Sequence, residues 1–318
     1  MRKQLSRDDN HYDRLSSFLL WEGNLEIKKL HQIKRNIYYL EANTGKQYIL
    51  KGHSNLLNMR QQWDFFNKAK SKSIVPFVRF PNGKKEILTG TNYGWTISPY
   101  ITGRKLNYQH PGDRLLAVST IKKFHQDAKN ITVKNPIKKQ LFYRRWHVRL
   151  NKFLETEYIF QKYGYENLFR DIVWMMNRYL DIVSTYSWNH DQKEAEIEGR
   201  WVHGDVASHN FIHNERTVLI DFDLLHCTTQ LYDFIQLGQR FLPNINWKLD
   251  RLLQYNMASE RELAKFLYSV FIPSDVLREW MHYLKSKRRL SVSSYLQTME
   301  EEWIKRKEFL NTSKVMLK

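Results

Sequence analysis

Residues 201–223, WVHGDVASHNFIHNERTVLIDFD, decide how the chain is read. They hold His203-Gly204-Asp205, then Asn210 five positions after that aspartate, then an apolar run that closes on Asp221-Phe222-Asp223. Residues 214–216 read as a hairpin turn and residues 217–220 (TVLI) as a short buried strand, which places Asp221 at a strand end. One aspartate in such a setting is most often a turn or cap residue. Taken together, Asp205, Asn210 and Asp221 make a hard, oxygen-rich set that suits magnesium and not zinc. Phosphoryl transfer from a nucleotide asks for that set, because the protein does little covalent chemistry there. It needs one carboxylate for the attacking hydroxyl and oxygen ligands for the metal. Asp205 is therefore the expected proton acceptor, Asn210 and Asp221 the expected metal ligands, and ATP with Mg2+ the expected cofactors.

At these residues the chain resembles the aminoglycoside phosphotransferase and choline kinase family, small-molecule kinases with a protein-kinase-like fold. The H-G-D form of the loop, where protein kinases usually carry H-R-D, directs the resemblance there. The wording V-H-G-D and I-D-F-D is closest to the bacterial spore-coat branch, the CotS-like proteins. Leu231-Tyr232-Asp233-Phe234 resembles the segment after the metal loop in these families, whose aspartate buttresses the catalytic loop. Residues 121–125 (IKKFH) resemble their upstream histidine-bearing helix. The resemblance implies an α+β, protein-kinase-like two-lobed fold: a β-rich nucleotide lobe at residues 1–97, a hinge at 98–104 and a helical catalytic lobe at 105–318. It also implies ATP- and magnesium-dependent phosphorylation of a hydroxyl on a small-molecule acceptor.

The amino-terminal half has its own β signals. Residues 25–30 alternate, residues 36–42 (NIYYLEA) are aromatic and β-rich, residues 43–46 (NTGK) form a turn, and residues 47–51 (QYILK) are a further strand. A lysine closing an apolar strand, such as Lys51, is by itself most often a solvated strand end. The resemblance implies instead that Lys51 pairs with the nucleotide phosphates. Residues 95–104 (WTISPYITGR) read as a strand running into a loop, and the resemblance makes them the hinge, with Ser98, Pro99 and Tyr100 against the adenine edge.

Two departures stand out. The expected turn at residues 31–36 (HQIKRN) has no glycine, so backbone amides with Lys34, Arg35 or Asn36 would have to cover the phosphates. Kinase-like folds also orient the strand lysine with a glutamate from the next helix, yet residues 54–73 contain none. Gln61, Gln62 and Asp64 are the available substitutes. These departures support a second reading from another class, a coat or scaffold protein that keeps the fold while catalysis has decayed. A protein kinase is disfavoured by the H-G-D loop and by the lack of an A-P-E segment after Asp223.

Helical periodicity marks residues 114–128, 137–156, 166–186, 233–241, 249–254, 260–271, 274–285 and 291–309. The 318 residues, 42% hydrophobic and 14% aromatic, suffice for a well-filled two-lobed unit. The single cysteine, Cys227, excludes an intrachain disulfide framework and fits a reducing cytoplasm, with the spore coat as the place the resemblance suggests. No apolar run approaches the length of a membrane span, and the histidines show no metal-site spacing. The net charge of +18 is the oddity. Basic residues gather at 134–149 (Lys138, Lys139, Arg144, Arg145, Arg149) and at 285–289 (KSKRR). Solvated helices are the commonest cause of such runs; sharper alternatives are an anionic acceptor or acidic, spore-coat proteins as partners. Nucleic acid has no helix-turn-helix, RNP or zinc-finger pattern behind it.

Overall fold

The computed structural model describes residues 7–286 and 290–314, so part of the basic run at 285–289 lies outside the described residues. The chain opens with α1 (Arg7–Gly23), β1 (Ile27–Lys34), β2 (Ile37–Ala42), β3 (Gln47–His53), α2 (Leu56–Lys68), β4 (Ile87–Thr89) and β5 (Tyr93–Pro99). The strands form one antiparallel sheet in the order β1-β2-β3-β5-β4. Tyr38, Leu40 and Ala42 alternate along β2, so one face of the sheet is apolar, and it buries them with Leu50 and Ile97. Leu15 and Leu19, one turn apart on α1, cover that face. The polar amino terminus hides this helix from a composition reading.

After β6 (Arg104–Lys105) come α3 (Pro111–Asp127), α4 (Phe142–Leu154), α5 (Glu157–Lys162), α6 (Glu166–Ser184) and α7 (Trp188–Ile197). Four short strands follow, β7 (Trp201–Val202), β8 (Phe211–His213), β9 (Thr217–Leu219) and β10 (His226–Cys227). The chain closes with α8 (Leu231–Phe241), α9 (Leu249–Leu253), α10 (Leu263–Phe271), α11 (Ser274–Lys285) and α12 (Val292–Lys314). Strands β6, β8 and β9 form a three-stranded sheet, and β7 pairs with β10. These two small sheets sit in a large aromatic core and carry the H-G-D and D-F-D segments.

Helix α2 joins the two halves. Its start is capped by the Asn55 side chain, which accepts from the Asn58 amide at 2.9 Å, a cap worth about 1 kcal/mol. Although it follows β3 in sequence, its Phe65 and Phe66 pack into the larger core, with ring centroids 5.4 Å from Trp201 and 5.2 Å from Phe222. That packing aims the opposite edge of α2 at the D-F-D segment.

Several boundaries differ from the sequence reading. β1 runs on to Lys34, so the expected six-residue turn is a tight hairpin on Arg35 and Asn36, with Asn36 at φ +62°. His31 stacks on Tyr39 across the hairpin at 4.7 Å instead of lying in a loop. The helix expected from residue 137 begins at Phe142, because the Ile137 amide donates to Gln61 Oε1 at 2.7 Å and holds that segment against α2. Residues 260–262 form a 3-10 turn ahead of α10, and α12 continues to Lys314.

Candidate active site

The H-G-D loop is shaped by a glycine and a buried aspartate. Gly204 sits at φ +82°, and a Cβ there would lie 2.4 Å from the Leu224 carbonyl oxygen, so no other residue fits without moving the backbone. Asp233, fully buried on α8, accepts from the amides of His203 and Gly204, both at 2.9 Å, and from His125 Nε2 at 2.9 Å. Burial alone would push its carboxyl up; the His125 hydrogen bond and these amides outweigh it and hold the group below its ordinary value. His203 packs on Phe222 at 4.6 Å and donates through Nε2 to the Ile220 carbonyl at 2.9 Å, which ties the loop to the end of β9.

Asp205 is held at both oxygens. Arg240 Nη2 lies 2.9 Å from Oδ1, and Asn210 Nδ2 lies 3.1 Å from Oδ2 while also donating to the Asp205 carbonyl at 2.9 Å. With both amide hydrogens of Asn210 so used, its Oδ1 is left as an acceptor, and none of the described residues donates to it. The Asn210 carbonyl in turn accepts from the Ile220 amide at 3.0 Å, fixing the distance between the asparagine and Asp221.

Asp221 adopts φ +64°, a left-handed conformation that aspartate tolerates better than most residues. Its Oδ1 is 2.7 Å from Lys51 Nζ, and Lys51 is equally 2.7 Å from Asp223 Oδ1. Burial would lower the Lys51 pKa, but the two carboxylates overcome this and raise it. The same contact holds Asp221 below the usual carboxylate range against the upward push of burial. Lys34, from the end of β1, adds a third charge 3.7 Å from Asp221 Oδ2.

The glutamate absent from α2 has a structural answer. Asp223 supplies the second negative charge to Lys51, and α2 grips the D-F-D segment with amides. Asn58 Nδ2 donates to the Asp223 carbonyl at 2.7 Å, Gln61 Nε2 to the Leu225 carbonyl at 2.9 Å, and Gln62 Nε2 lies 3.4 Å from Asp223 Oδ1. Asp64, the other candidate substitute, makes no ion pair among the described residues.

Ser98 lies opposite Ile49 near the end of β5, and Tyr100 follows the last strand residue, Pro99, 39% exposed, with its ring edge-on to Tyr39 at 5.0 Å. The Tyr100 amide is already engaged by the Gln47 carbonyl at 3.0 Å, and Pro99 has no amide to give. Arg240 was not foreseen. The signal for it was its place seven residues after Asp233 on α8, two turns along the same helix face.

Among the described residues no group of three or more His, Cys, Asp and Glu is arranged to hold a metal. The donors present, Asn210 Oδ1 and the Asp221 carboxylate, suit instead an ion that takes only one or two protein ligands and completes its shell with phosphate and water, as magnesium does. An ammonium already sits between Asp221 and Asp223, which shows that this pocket accommodates positive charge. No helix among the described residues is long and apolar enough to cross a membrane.

Residues 36–265 match a family described as the phosphotransferase enzyme family. No curated protein matches the sequence. Among solved structures, an aminoglycoside phosphotransferase from Alicyclobacillus acidocaldarius aligns over 93% of this chain and 94% of that one, at 15% identity and a TM-score of 0.68. A spectinomycin phosphotransferase in complex with ADP and spectinomycin aligns over 93% of each chain, at 13% identity and a TM-score of 0.59. An amicoumacin kinase in complex with AMP-PNP and Ca2+ aligns over 96% of each chain, at 16% identity and a TM-score of 0.59. The likeness is one of fold: a kinase-like arrangement of an antiparallel β lobe and a larger helical lobe.

Proposed function

Because the chain belongs to the phosphotransferase enzyme family, we propose that it transfers the γ-phosphoryl group of ATP, with magnesium, to a hydroxyl of a small molecule. The observation that carries this reading is the meeting of Asp205, Asn210 and Asp221, from one loop and the hairpin after it, with Lys51 from β3 at one site.

Lys51 holds the phosphates of the nucleotide, exchanging part of its pairing with Asp221 and Asp223 for phosphate oxygens. Asn210 and Asp221 would hold the metal, which would supply neutralisation of phosphate charge when bound. Asp205, fixed by Arg240 and Asn210, orients the acceptor hydroxyl. Its carboxylate takes the proton as the hydroxyl oxygen bonds to the γ-phosphorus and the bond to the bridging oxygen of ADP breaks. The boundary between lobes falls at residues 98–104. With the Tyr100 amide occupied, the adenine edge meets the carbonyl of Ser98 or Pro99 and the Ile101 amide. ADP and AMP-PNP in the similar structures support a nucleotide at this site.

The decayed-scaffold reading drew on the missing α2 glutamate, and the pairing of Asp223 with Lys51 weakens that ground. The spore-coat branch, a coat location and coat-protein partners have the V-H-G-D and I-D-F-D wording behind them.

The test is a thermal shift with MgADP on the native protein and on Asp221→Ala. A melting temperature that rises with MgADP concentration and is flat in the variant is expected. A native protein indifferent to millimolar MgADP would sink the reading.

A further inference from the structure

Two helices face each other with matching basic stripes. On α4, Arg145, Arg149 and Lys152 recur at intervals of four and three residues; on α11, Arg278, His282 and Lys285 recur at the same intervals. That spacing puts each trio on one helix face. Between them lies a groove of about 380 Å³ whose remaining lining, Val148 and Met281, is apolar. No carboxylate lines it among the described residues. Of the nearest acids on α11, Glu279 pairs with Arg278 at 2.9 Å, and Asp275 is paired with Arg306.

A solvated basic face would point its charges outward, where water screens them. Here they converge, and not all are solvated. Arg145 Nη2 is buried without a hydrogen-bond partner, its guanidinium 5.1 Å from the Tyr232 ring, and Arg149 is half-buried, with Nη1 on the Ser274 carbonyl at 2.8 Å. Burial, then the charges of Arg278 and Arg145, weaken the hold of Arg149 on its proton. Lys139, just ahead of α4, has a buried and unpartnered Nζ, and burial followed by the Arg145 charge brings it down to about 8. Like charges gathered around an open groove with donors to spare are complementary to an anion, and guanidinium forks suit phosphate and carboxylate in particular.

The groove abuts α8, the helix that carries Arg240, through the start of α11. Arg149 Nη1 lies on the Ser274 carbonyl at 2.8 Å, the Ser274 hydroxyl donates to Gln239 Oε1 at 3.3 Å, and the next residue, Arg240, places Nη2 2.9 Å from Asp205. We propose that the groove between α4 and α11 is an anion subsite for the acceptor, so that the molecule phosphorylated at Asp205 carries, besides its hydroxyl, a phosphate, sulfate or carboxylate. A polyamine acceptor is disfavoured by the same charges. The assignment to an acceptor rests on the phosphotransferase reading; the anion site itself does not.

The experiment is calorimetric titration of glucose 6-phosphate, with glucose and glucosamine as neutral and cationic controls, into protein already saturated with MgADP so that the nucleotide site cannot take the phosphate. Glucose 6-phosphate is expected to bind and the two controls not to. Arg278→Gln, a half-exposed position, is expected to weaken it by about tenfold, with MgADP affinity unchanged. Lys152→Gln, exposed on α4, is the second variant should Arg278→Gln fold poorly. Glucose 6-phosphate binding no tighter than glucose, or equally tight in both variants, would overturn the anion site. Absence of MgADP binding in the first step defeats the phosphotransferase reading instead, and the phosphate titration then still decides the groove.

Discussion

Lys51 Nζ lies 2.7 Å from Asp223 Oδ1, as close as it lies to Asp221. The second aspartate of the D-F-D segment thus stands in for a helix glutamate. The orienting charge comes from the D-F-D segment, while α2 contributes the neutral Gln62 amide 3.4 Å from the same oxygen.

From this it follows that Asp223→Asn should lower phosphate transfer by about tenfold or more, the size of a lost charge-assisted contact, whereas Asp223→Glu should recover part of it. Gln62→Glu, which restores a carboxylate on the helix, should not help. It sets a second anion beside Asp223 and should cost about 1 kcal/mol, read as a lower urea midpoint. A more active or more stable Gln62→Glu protein would contradict this account of Lys51.

Arg240 separates activity from stability. Its side chain is 20% exposed, and its Nε is buried with no hydrogen-bond partner. Replacing it by leucine leaves Asp205, 34% exposed, with Asn210 as its remaining side-chain partner, so stability, read from the urea midpoint, should fall only modestly, by about 1 kcal/mol. Asp205 then loses its Oδ1 partner, and turnover should fall by about ten- to a hundredfold with little change in MgADP affinity. A stability loss well beyond that, with turnover falling in parallel, would mean that Arg240 is only a packing residue.

Asp233 is the opposite case. Asp233→Asn removes the charge that His125 and two loop amides are built around. Breaking so buried a pair should cost about 3–5 kcal/mol, measured by equilibrium urea unfolding. His125→Ala should lose a similar amount, and the double variant should lose less than the sum, since the two changes share one interaction.

Acid should destabilise the protein in a defined window. His53, whose Nε2 bonds Thr96 Oγ1 at 2.8 Å, is brought from 6.5 to about 4, first by burial and then by the Lys51 charge. Between those values the unfolded chain binds a proton that the folded chain refuses, so stability falls as pH falls from 6.5 toward 4 and is fully present above 6.5. One such histidine contributes on the order of 3 kcal/mol across that window. His226, lowered to about 3 chiefly by burial, extends the same trend further into acid. Urea unfolding at pH 7.5, 6, 5 and 4.5 reads the slope, and His53→Gln should make it shallower by about one proton. An unchanged slope would remove His53 from the explanation.

Local spacing is why so much could be read without a structure. H-G-D-x-x-x-x-N and D-F-D lie on one loop and one hairpin, and the bond from the Ile220 amide to the Asn210 carbonyl joins them within ten residues. Gly204 takes its positive φ at no steric cost, and aspartate tolerates the one at position 221 better than most residues. The antiparallel strands around residues 43–46 and the long helices of the carboxy-terminal half follow equally from alternation and helical period. The reading faltered where a distant partner moved a boundary, as when Gln61 holds Ile137 back from α4.

What the sequence by itself determined was therefore the fold, the order of the chemical groups along it and the family they belong to, because each is set by residues within a few turns or strands of one another. Only the tertiary structure decided that Asp223 replaces the glutamate beside Lys51, that Arg240 grips Asp205, and that two basic stripes 133 residues apart, counted from Arg145 to Arg278, share one groove. Those partnerships depend on how α2 buries Phe65 and Phe66 and how α8 and α11 pack beside α4. Packing brings remote side chains within a few ångströms, and the periodicity of either segment alone carries no record of which remote residue it will meet.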